Sequence, residues 1–425
     1  MIVILGAGLT GLSAAYHLKD KSYYIFEKEK EVGGLCRSTK EDGFIFDFTG
    51  HLLHLRNDYV KDLVNKLLPK AFLEHRRRAW IYSKGVYTPY PFQVNLYGLP
   101  KNVVKECLLE FIKIKNKRKK KPRNFLEWIL YSFGKGIAKH FMIPYNKKLW
   151  RTKLSKITPD WTSWSIPKVE LEDIIDGALG IIKENLGYNF CFLYPKKDGI
   201  EILPKSFLPY IENLYLQKEV VKINLKKKKV IFRDKDEVKY DVLISTIPLP
   251  ELISKIEDIP EKYKIIANKL NYLSVLDINL GIKRANISPN KHWIYFPESE
   301  FIFYRVGFYS NLSSYLVPNG QSSIYVEVSY KRKLPYSKDR ILEKVFEGLI
   351  NAQILKNRKE ISLIDVKNIK YAYVIYDDFR RKNLPILMRY LENHDVFSIG
   401  RYGGWKYLCM EEAILEGKRI TEKLL

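Results

Sequence analysis

The sequence predicts an α/β fold: a Rossmann-like dinucleotide-binding domain interrupted by a mixed α+β insertion. Three observations carry this. A glycine-rich turn separates an apolar run from a helical pattern at the N-terminus. A second apolar run follows and ends in an acidic residue. The chain then closes with another strand, glycine-rich turn and helix pattern at 395–420. The same arrangement at both ends places the C-terminus back in the first domain, with the intervening chain inserted between its parts.

The first element is read from MIVILGAGLTGLSAAYHLKDKSYYIFEKEKEVGG (1–34). Residues 2–5 form a short apolar run, as a parallel strand covered on both faces requires. Gly6, Gly8 and Gly11 give G-x-G-x-x-G. Helical periodicity runs from Leu12 to Leu18, and YYIF (23–26) is a second strand ending at Glu27. Gly6 permits the tight turn, Gly8 lets the backbone approach a pyrophosphate, and Gly11 lets helix and strand pack closely. The helix N-terminus offers free N–H groups to phosphate, and Glu27 can accept ribose hydroxyls.

Residues 55–180 alternate helical and irregular segments with few clean strands. FLYPKKDGIEILPKSF (192–207) returns to loop and helix, and 216–249 reads as a β-meander followed by the buried strand VLIST. Between 274 and 330 lie the strand-like stretches VLDINLGI, HWIYFP, FYRVGFYS and SSIYVEVSY. The expected division is a nucleotide-binding domain built from 1–55, 191–250 and 391–425. A mainly helical region at 56–190 and a β-rich substrate domain at 251–390 separate its parts.

Composition narrows the partners. Apolar residues make up 46% of the chain, which excludes a disordered polymer. Lys plus Arg number 73 against 48 acidic residues, a net charge of +25 that favours anionic ligands. KIKNKRKKKPR (113–123) reads as a solvated loop or helix end, and no nucleic-acid-binding signature accompanies it. The four cysteines are far apart, with neither a disulfide framework nor CxxC spacing, as a cytoplasmic protein would have. No signal-peptide pattern and no apolar run long enough to span a bilayer is expected, which leaves peripheral membrane contact open. Nothing in the sequence reports on oligomeric state.

ILGAGLTGLSAAY together with EKEKEVGGLCRS (27–38) resembles the FAD-binding start of the amine-oxidase and protoporphyrinogen-oxidase-like flavoproteins. Gly33, Gly34 and Arg37 match that family's GG-x-x-R-S element, GFIFDFTGH (43–51) the segment behind it, and IGRYGGWKY (399–407) its last FAD motif. The resemblance implies a non-covalent FAD. In the first motifs the contacts would come from the glycines, from Leu9 and Thr10, from Glu27 and Lys28, and from Leu35 and Arg37. Further along they would come from Gly50 and His51, from Val220 and Thr246, and from Gly400, Arg401, Tyr407 and Met410. NAD(P)H is a candidate reductant.

A narrower resemblance spans nearly the whole chain. TPYPFQVN (88–95), FMIPYNKKLW (141–150), HWIYFPESEFIFYRVGFYSN (292–311) and GRYGGWKY (400–407) look like blocks of UDP-galactopyranose mutases, particularly the eukaryotic type. Those enzymes share the FAD fold but do no net oxidation: the reduced flavin attacks the sugar's anomeric carbon, and the ring reopens and closes in the other size. The resemblance implies an anionic nucleotide sugar as substrate. Arg305 would hold the diphosphate, since a guanidinium suits bidentate pairing. Phe92, Asn95, Tyr145, Tyr304, Asn311 and Trp405 would line the substrate, with His51, Tyr309 and Tyr407 at the reacting end. One departure stands out. The family's second phosphate-binding Arg is missing from DWTSWSIPK (160–168), where Ser165 takes the aligned position and Arg151 and Lys168 fall out of register. The alternative function is that of a flavin oxidoreductase removing hydride from an amine or apolar substrate.

FDFTGHLLHL (46–55) places His51 and His54 close together. No Cys or His cluster nearby supplies further ligands, so no metal site is expected. TGHLLHL aligns with the mutases' GGH-x-x-F-S-H, which implies that His51 contacts the flavin, with Thr49 in place of the first Gly. His54 reads as a packed or pocket-wall residue.

Overall fold

The computed structural model describes the chain except residues 19–20, 116–120, 163–165, 167–168, 182–189 and 425. Its first sheet is five-stranded and wholly parallel, in the order Val396–Ser398, Val242–Ser245, Ile2–Leu5, Tyr23–Phe26, Leu214–Tyr215. The alternation of a strand explains how IVIL serves two cores at once. Ile4 packs with Leu12, Ala15 and Ile414, under the helices Leu9–His17 and Met410–Leu424. Val3 and Leu5 face the other way and pack with Phe232, Leu249 and Leu387. These belong to the antiparallel meander Val220–Lys239 and to the helices Leu249–Lys255 and Asp378–Glu392. The helix after the glycine turn starts at Leu9 rather than Leu12, because Gly8 occupies its N-cap.

The second large sheet has seven strands: Ile361–Val374, Tyr272–Ile282, Ser322–Tyr330, Arg305–Phe308, Trp293–Tyr295, Ala79–Ser83 and Val86–Pro89. Neighbours run antiparallel except Trp293–Tyr295 with Ala79–Ser83. The region read as mainly helical therefore supplies the last two strands of this sheet, and its Phe72–Arg76 pairs with Cys191–Pro195. Those strands are only four or five residues long, and Phe72–Arg76 also carries charged residues among apolar ones, which hid their period from the sequence. The long strand Ile361–Val374 was also unforeseen, since its core contacts are few and its exposed face is polar.

The sheet's central strands have unlike faces. Leu276, Ile278 and Leu280, with Ile324, Val326 and Val328, pack on the helix Lys338–Asn351. On the opposite face stand Asp277, Asn279, Tyr325 and Glu327, all buried. A third core joins the helices Lys101–Lys115, Phe125–Ile137 and Ile143–Trp150. They approach closely at Gly136, where a Cβ would lie 2.6 Å from the Cα of Cys107.

Candidate active site

Three glycines open the N-terminal loop, and two of them are demanded by the protein's own packing. Gly6 has φ +97°, and a Cβ there would meet the Oγ1 of Thr246 at 2.5 Å. A Cβ on Gly11 would lie 2.0 Å from the carbonyl of Gly6. Gly8 differs: a Cβ there would meet nothing closer than the Cα of Gly34, at 4.0 Å. What Gly8 leaves clear is the approach to the N-terminus of Leu9–His17, where a pyrophosphate would lie. Gly33 bonds through its N–H to the carbonyl of Ala7 and bridges Gly8, so GG-x-x-R packs directly on the glycine turn. Glu27 is 7% exposed, and its two oxygens accept from the N–H groups of Ala7 (2.8 Å) and Glu29 (3.0 Å). That pins the carboxylate beside the loop, with lone pairs left for ribose hydroxyls. Arg37 donates to the carbonyl of Gly34 at 2.8 Å and lies over Phe48.

The other cofactor candidates divide by position. Thr10 is buried against Gly400, where a Cβ would lie 3.0 Å from the threonine hydroxyl, so the two glycine turns touch. Thr246 donates from its hydroxyl to the carbonyls of Leu5 and Gly6 and braces the first turn. Leu9 and Met410 lie in one core with Ile4. Val220 opens the meander, beside a register shift. Leu35 joins a small cluster with Phe48, Tyr145, Tyr304 and Tyr373. Lys28 is solvated, its ammonium 3.9 Å from Glu29 in an exposed ion pair.

The His51 turn lies on the polar face of the seven-stranded sheet. Thr49 has φ +67° and donates its N–H to Asp277 at 3.0 Å. Gly50 passes so close to Tyr325 that a Cβ would fall 2.2 Å from its hydroxyl. Asp47 anchors the start of the turn, accepting from Ser38 (2.6 Å), Tyr194 (2.6 Å) and the N–H of Ile200 (3.1 Å). Burial nonetheless pushes its carboxyl up to about 6. His51 follows with a buried Nδ1 that has no partner. Burial first, then the charges of Arg401 and Arg305, lower its pKa to about 4, so the imidazole is neutral at physiological pH. An unpartnered ring nitrogen in a polar setting is an open hydrogen-bonding position for a bound cofactor. His54, by contrast, bonds the carbonyl of Cys191 and packs on Phe192.

The substrate candidates separate into two groups. Arg305, Tyr145 and Tyr304 converge with Tyr295 and Tyr373, and Arg401 joins them through Tyr373 and Tyr407. Tyr304 is buried with no partner for its hydroxyl, and Tyr407 is exposed and stacked on Tyr373. Arg305 is held by Glu327, which is 1% exposed, through Nε at 2.5 Å and one terminal nitrogen at 2.6 Å. Burial opposes the guanidinium's charge, but Glu327 outweighs it and the pKa is raised.

The second group is structural. Tyr309 is fully buried and donates to the carbonyl of Asp47 (3.0 Å), so it supports the His51 turn from beneath rather than reaching a reactant. Trp405 is likewise fully buried, packed on Tyr272 and Tyr371, and cannot line a substrate. Asn311 spends its amide on the carbonyls of Ser288 and Lys291. Phe92 stacks on Phe141 in the helical core, and Asn95 bonds the carbonyl of Pro91. Each sits in the predicted block, but Tyr309, Trp405 and Phe92 face the core, and the two asparagines spend their amides on nearby backbone. Ser165 and Lys168 lie outside the described residues. Arg151 ends the helix Ile143–Trp150 and donates to the carbonyl of Ser329 at 3.0 Å. Sequence reasoning missed Asp277, Glu327, Tyr325 and Tyr373. The signal was present in VLDINLGI, SSIYVEVSY and KYAYVIY, where polar or aromatic residues alternate within apolar strands. Among the described residues no group of three or more His, Cys, Asp or Glu side chains could hold a metal.

A parallel sheet with a glycine turn at its centre, an acid ending the next strand and a second glycine turn returning from the C-terminus defines a dinucleotide-binding flavoprotein. The sequence profile of flavin-containing amine oxidoreductases matches residues 9–419. The chain belongs to that family, whose members are FAD-dependent enzymes. Among solved structures it is similar to a reduced UDP-galactopyranose mutase, with a TM-score of 0.94 at 28% identity, covering 100% of this chain and 95% of that one. A protoporphyrinogen oxidase-like protein from Exiguobacterium sp. 255-15 shares the fold at a TM-score of 0.77 and 14% identity, with 100% and 98% covered. Curated relatives match more locally. A flavin-containing monoamine oxidase A from Dictyostelium discoideum is 32% identical over 116 residues, 26% of this chain and 25% of that protein. A 4,4'-diapophytoene desaturase from Staphylococcus aureus (strain COL) is 35% identical over 86 residues, 19% of this chain and 17% of that protein. The chain thus aligns with a quarter or less of these curated relatives. No helix among the described residues is long and apolar enough to cross a membrane.

Proposed function

We propose that the protein is a cytoplasmic enzyme acting on a nucleotide-linked sugar through reduced FAD, in the manner of the UDP-galactopyranose mutases. The observation that carries this reading is the end-to-end similarity to the reduced mutase. It extends through the inserted segments as well as the nucleotide-binding part. The convergence of Arg305 and Arg401 among Tyr145, Tyr304, Tyr373 and Tyr407 supports it, because two cations bordered by phenols suit an anionic, hydroxyl-rich ligand. FAD supplies a ring that can accept or share an electron pair, and NAD(P)H is the proposed reductant.

In this reading the chain's own residues do the rest. Gly8 and the N-terminus of Leu9–His17 hold the pyrophosphate, and Glu27 the ribose. Neutral His51 presents Nδ1 to the cofactor. Arg305, fixed in plane by Glu327, turns its free edge to the diphosphate. The test is a thermal-shift series with UDP, UDP-sugars and porphyrins, with the flavin oxidised and then reduced. UDP is expected to raise the midpoint; a rise with porphyrin and none with UDP rejects the reading.

A second reading, a flavin oxidoreductase for an amine or apolar substrate, is favoured by one observation. Glu327 occupies two of the guanidinium's donors, which would make Arg305 a strand-face ion pair. Hydride removal from an amine, followed by flavin absorbance under anaerobic conditions, would establish it.

A further inference from the structure

Beneath the His51 turn the sheet holds two carboxylates, Asp277 and Glu327, and among the described residues one cation, Arg305, is bonded to either. Asp277 is fully buried in Tyr272–Ile282, directly across from Glu327 in Ser322–Tyr330. Arg305 is engaged by Glu327 through two bonds, so it does not serve Asp277. On the other side Lys367 in Ile361–Val374 is the register partner of Asp277, but it is paired with Asp365 and bonds Thr39. One oxygen of Asp277 accepts from the N–H of Thr49 (3.0 Å) and the amide of Asn279 (3.2 Å); its Oδ1 is buried with no partner. Tyr309 and Tyr325 face it as well, and Tyr309 in turn bonds the carbonyl of Asp47. A carboxyl so placed is far easier to bury neutral than charged.

We propose that Asp277 is a proton-bearing positioning residue: its protonation sets the grip on the Thr49 amide and hence the seat of the His51 turn. The acid is held neutral by burial and by Glu327, with its pKa raised to about 8. When the proton leaves, the carboxylate takes the Thr49 N–H in a charge-assisted bond, shorter and stronger than the neutral one. The turn is drawn toward the sheet, and His51 moves with it. Because Thr49 stands where a glycine would be freer, the displacement passes to the residues that follow rather than being absorbed in the turn.

This rests on the reading that the His51 turn faces the flavin, so two measurements are needed. Amide hydrogen exchange across 48–51 requires no flavin. Protection in wild type relative to Asp277→Asn is expected to rise several-fold as pH passes about 8, the pKa assigned to the buried acid. The amide side chain keeps an oxygen for Thr49 but cannot ionise. A constant ratio across that range overturns the proposal. The bound-flavin absorbance is then titrated from pH 6 to 9.5 in wild type, Asp277→Asn and His51→Ala, a range chosen to bracket that ionisation. A one-proton transition in wild type, absent from Asp277→Asn, is expected. The same transition in both overturns the proposal. A His51→Ala spectrum identical to wild type at every pH rejects the placement of the turn at the flavin, and the exchange data then decide the role of Asp277 alone.

Discussion

Replacing Arg305 tests two roles that the structure has joined. Its partner Glu327 is 1% exposed, so Arg305→Ala leaves a carboxylate buried without its cation. Breaking a buried pair in this way costs about 3–5 kcal/mol. Unfolding entropy of roughly 2.1 cal/mol/K per residue gives about 0.9 kcal/mol/K for a chain of this length, so the melting midpoint should fall by about 3–6 °C. Arg305→Lys keeps the charge but loses the second bond, and should fall less. Pairing Arg305→Ala with Glu327→Gln removes the stranded charge, and should recover much of the midpoint. UDP affinity, followed by flavin fluorescence, should drop with Lys, drop further with Ala, and stay low in the double variant. Flavin content should not change. If affinity returns together with stability in the double variant, Arg305 acts only through the fold and the phosphate-holding role is refuted.

Gly8→Val should fold, since only the Gly34 Cα lies near the added Cβ, but lose its flavin on desalting, read by absorbance. Glu27→Ala should weaken FAD binding by about 1–3 kcal/mol, measured by flavin release on titration with denaturant, because the ribose acceptor and the brace on Ala7 and Glu29 go together. Trp405→Ala should destabilise by about 3–5 kcal/mol in chemical denaturation while UDP affinity per folded molecule is unchanged. The raised carboxyl of Asp277 binds its proton more tightly folded than unfolded. Stability of wild type relative to Asp277→Asn should therefore fall as pH rises from about 4 through about 8 and then level off, seen in melting curves at each pH.

The parts of the fold that were legible in the sequence are those in which one residue type answers to one local demand. Gly6 is required by the positive φ of its own turn and Gly11 by a contact five residues away, and Glu27 ends an apolar strand whose length is evident. That His51 is not a packed histidine like His54 agrees with its unpartnered Nδ1. The orientation of the substrate blocks was not. Tyr309 and Trp405 stand in segments of the right character, yet each turns its ring to the core, and which face a side chain takes depends on strands more than a hundred residues away. Glu327 was invisible as the partner of Arg305 for the same reason: their pairing is set by cross-strand register, not by spacing. The strands at 79–89 were lost because a strand of four or five residues, apolar on both faces or nearly so, is too short to show a period of two.

The parallel sheet draws its strands from residues 2–5, 23–26, 214–215, 242–245 and 396–398. During synthesis, the first glycine turn therefore emerges long before anything can complete it. Helix Leu9–His17 must wait for Met410–Leu424, against which it packs so tightly that Gly417 leaves no room for a Cβ beside Ser13. Until Val396–Ser398 and Met410–Leu424 have been made, the nascent chain carries an open sheet edge and an uncovered helix face. A chain cut before residue 396 would lack both the outer strand of this sheet and the helix that covers Leu9–His17, along with the closing glycine turn at 400.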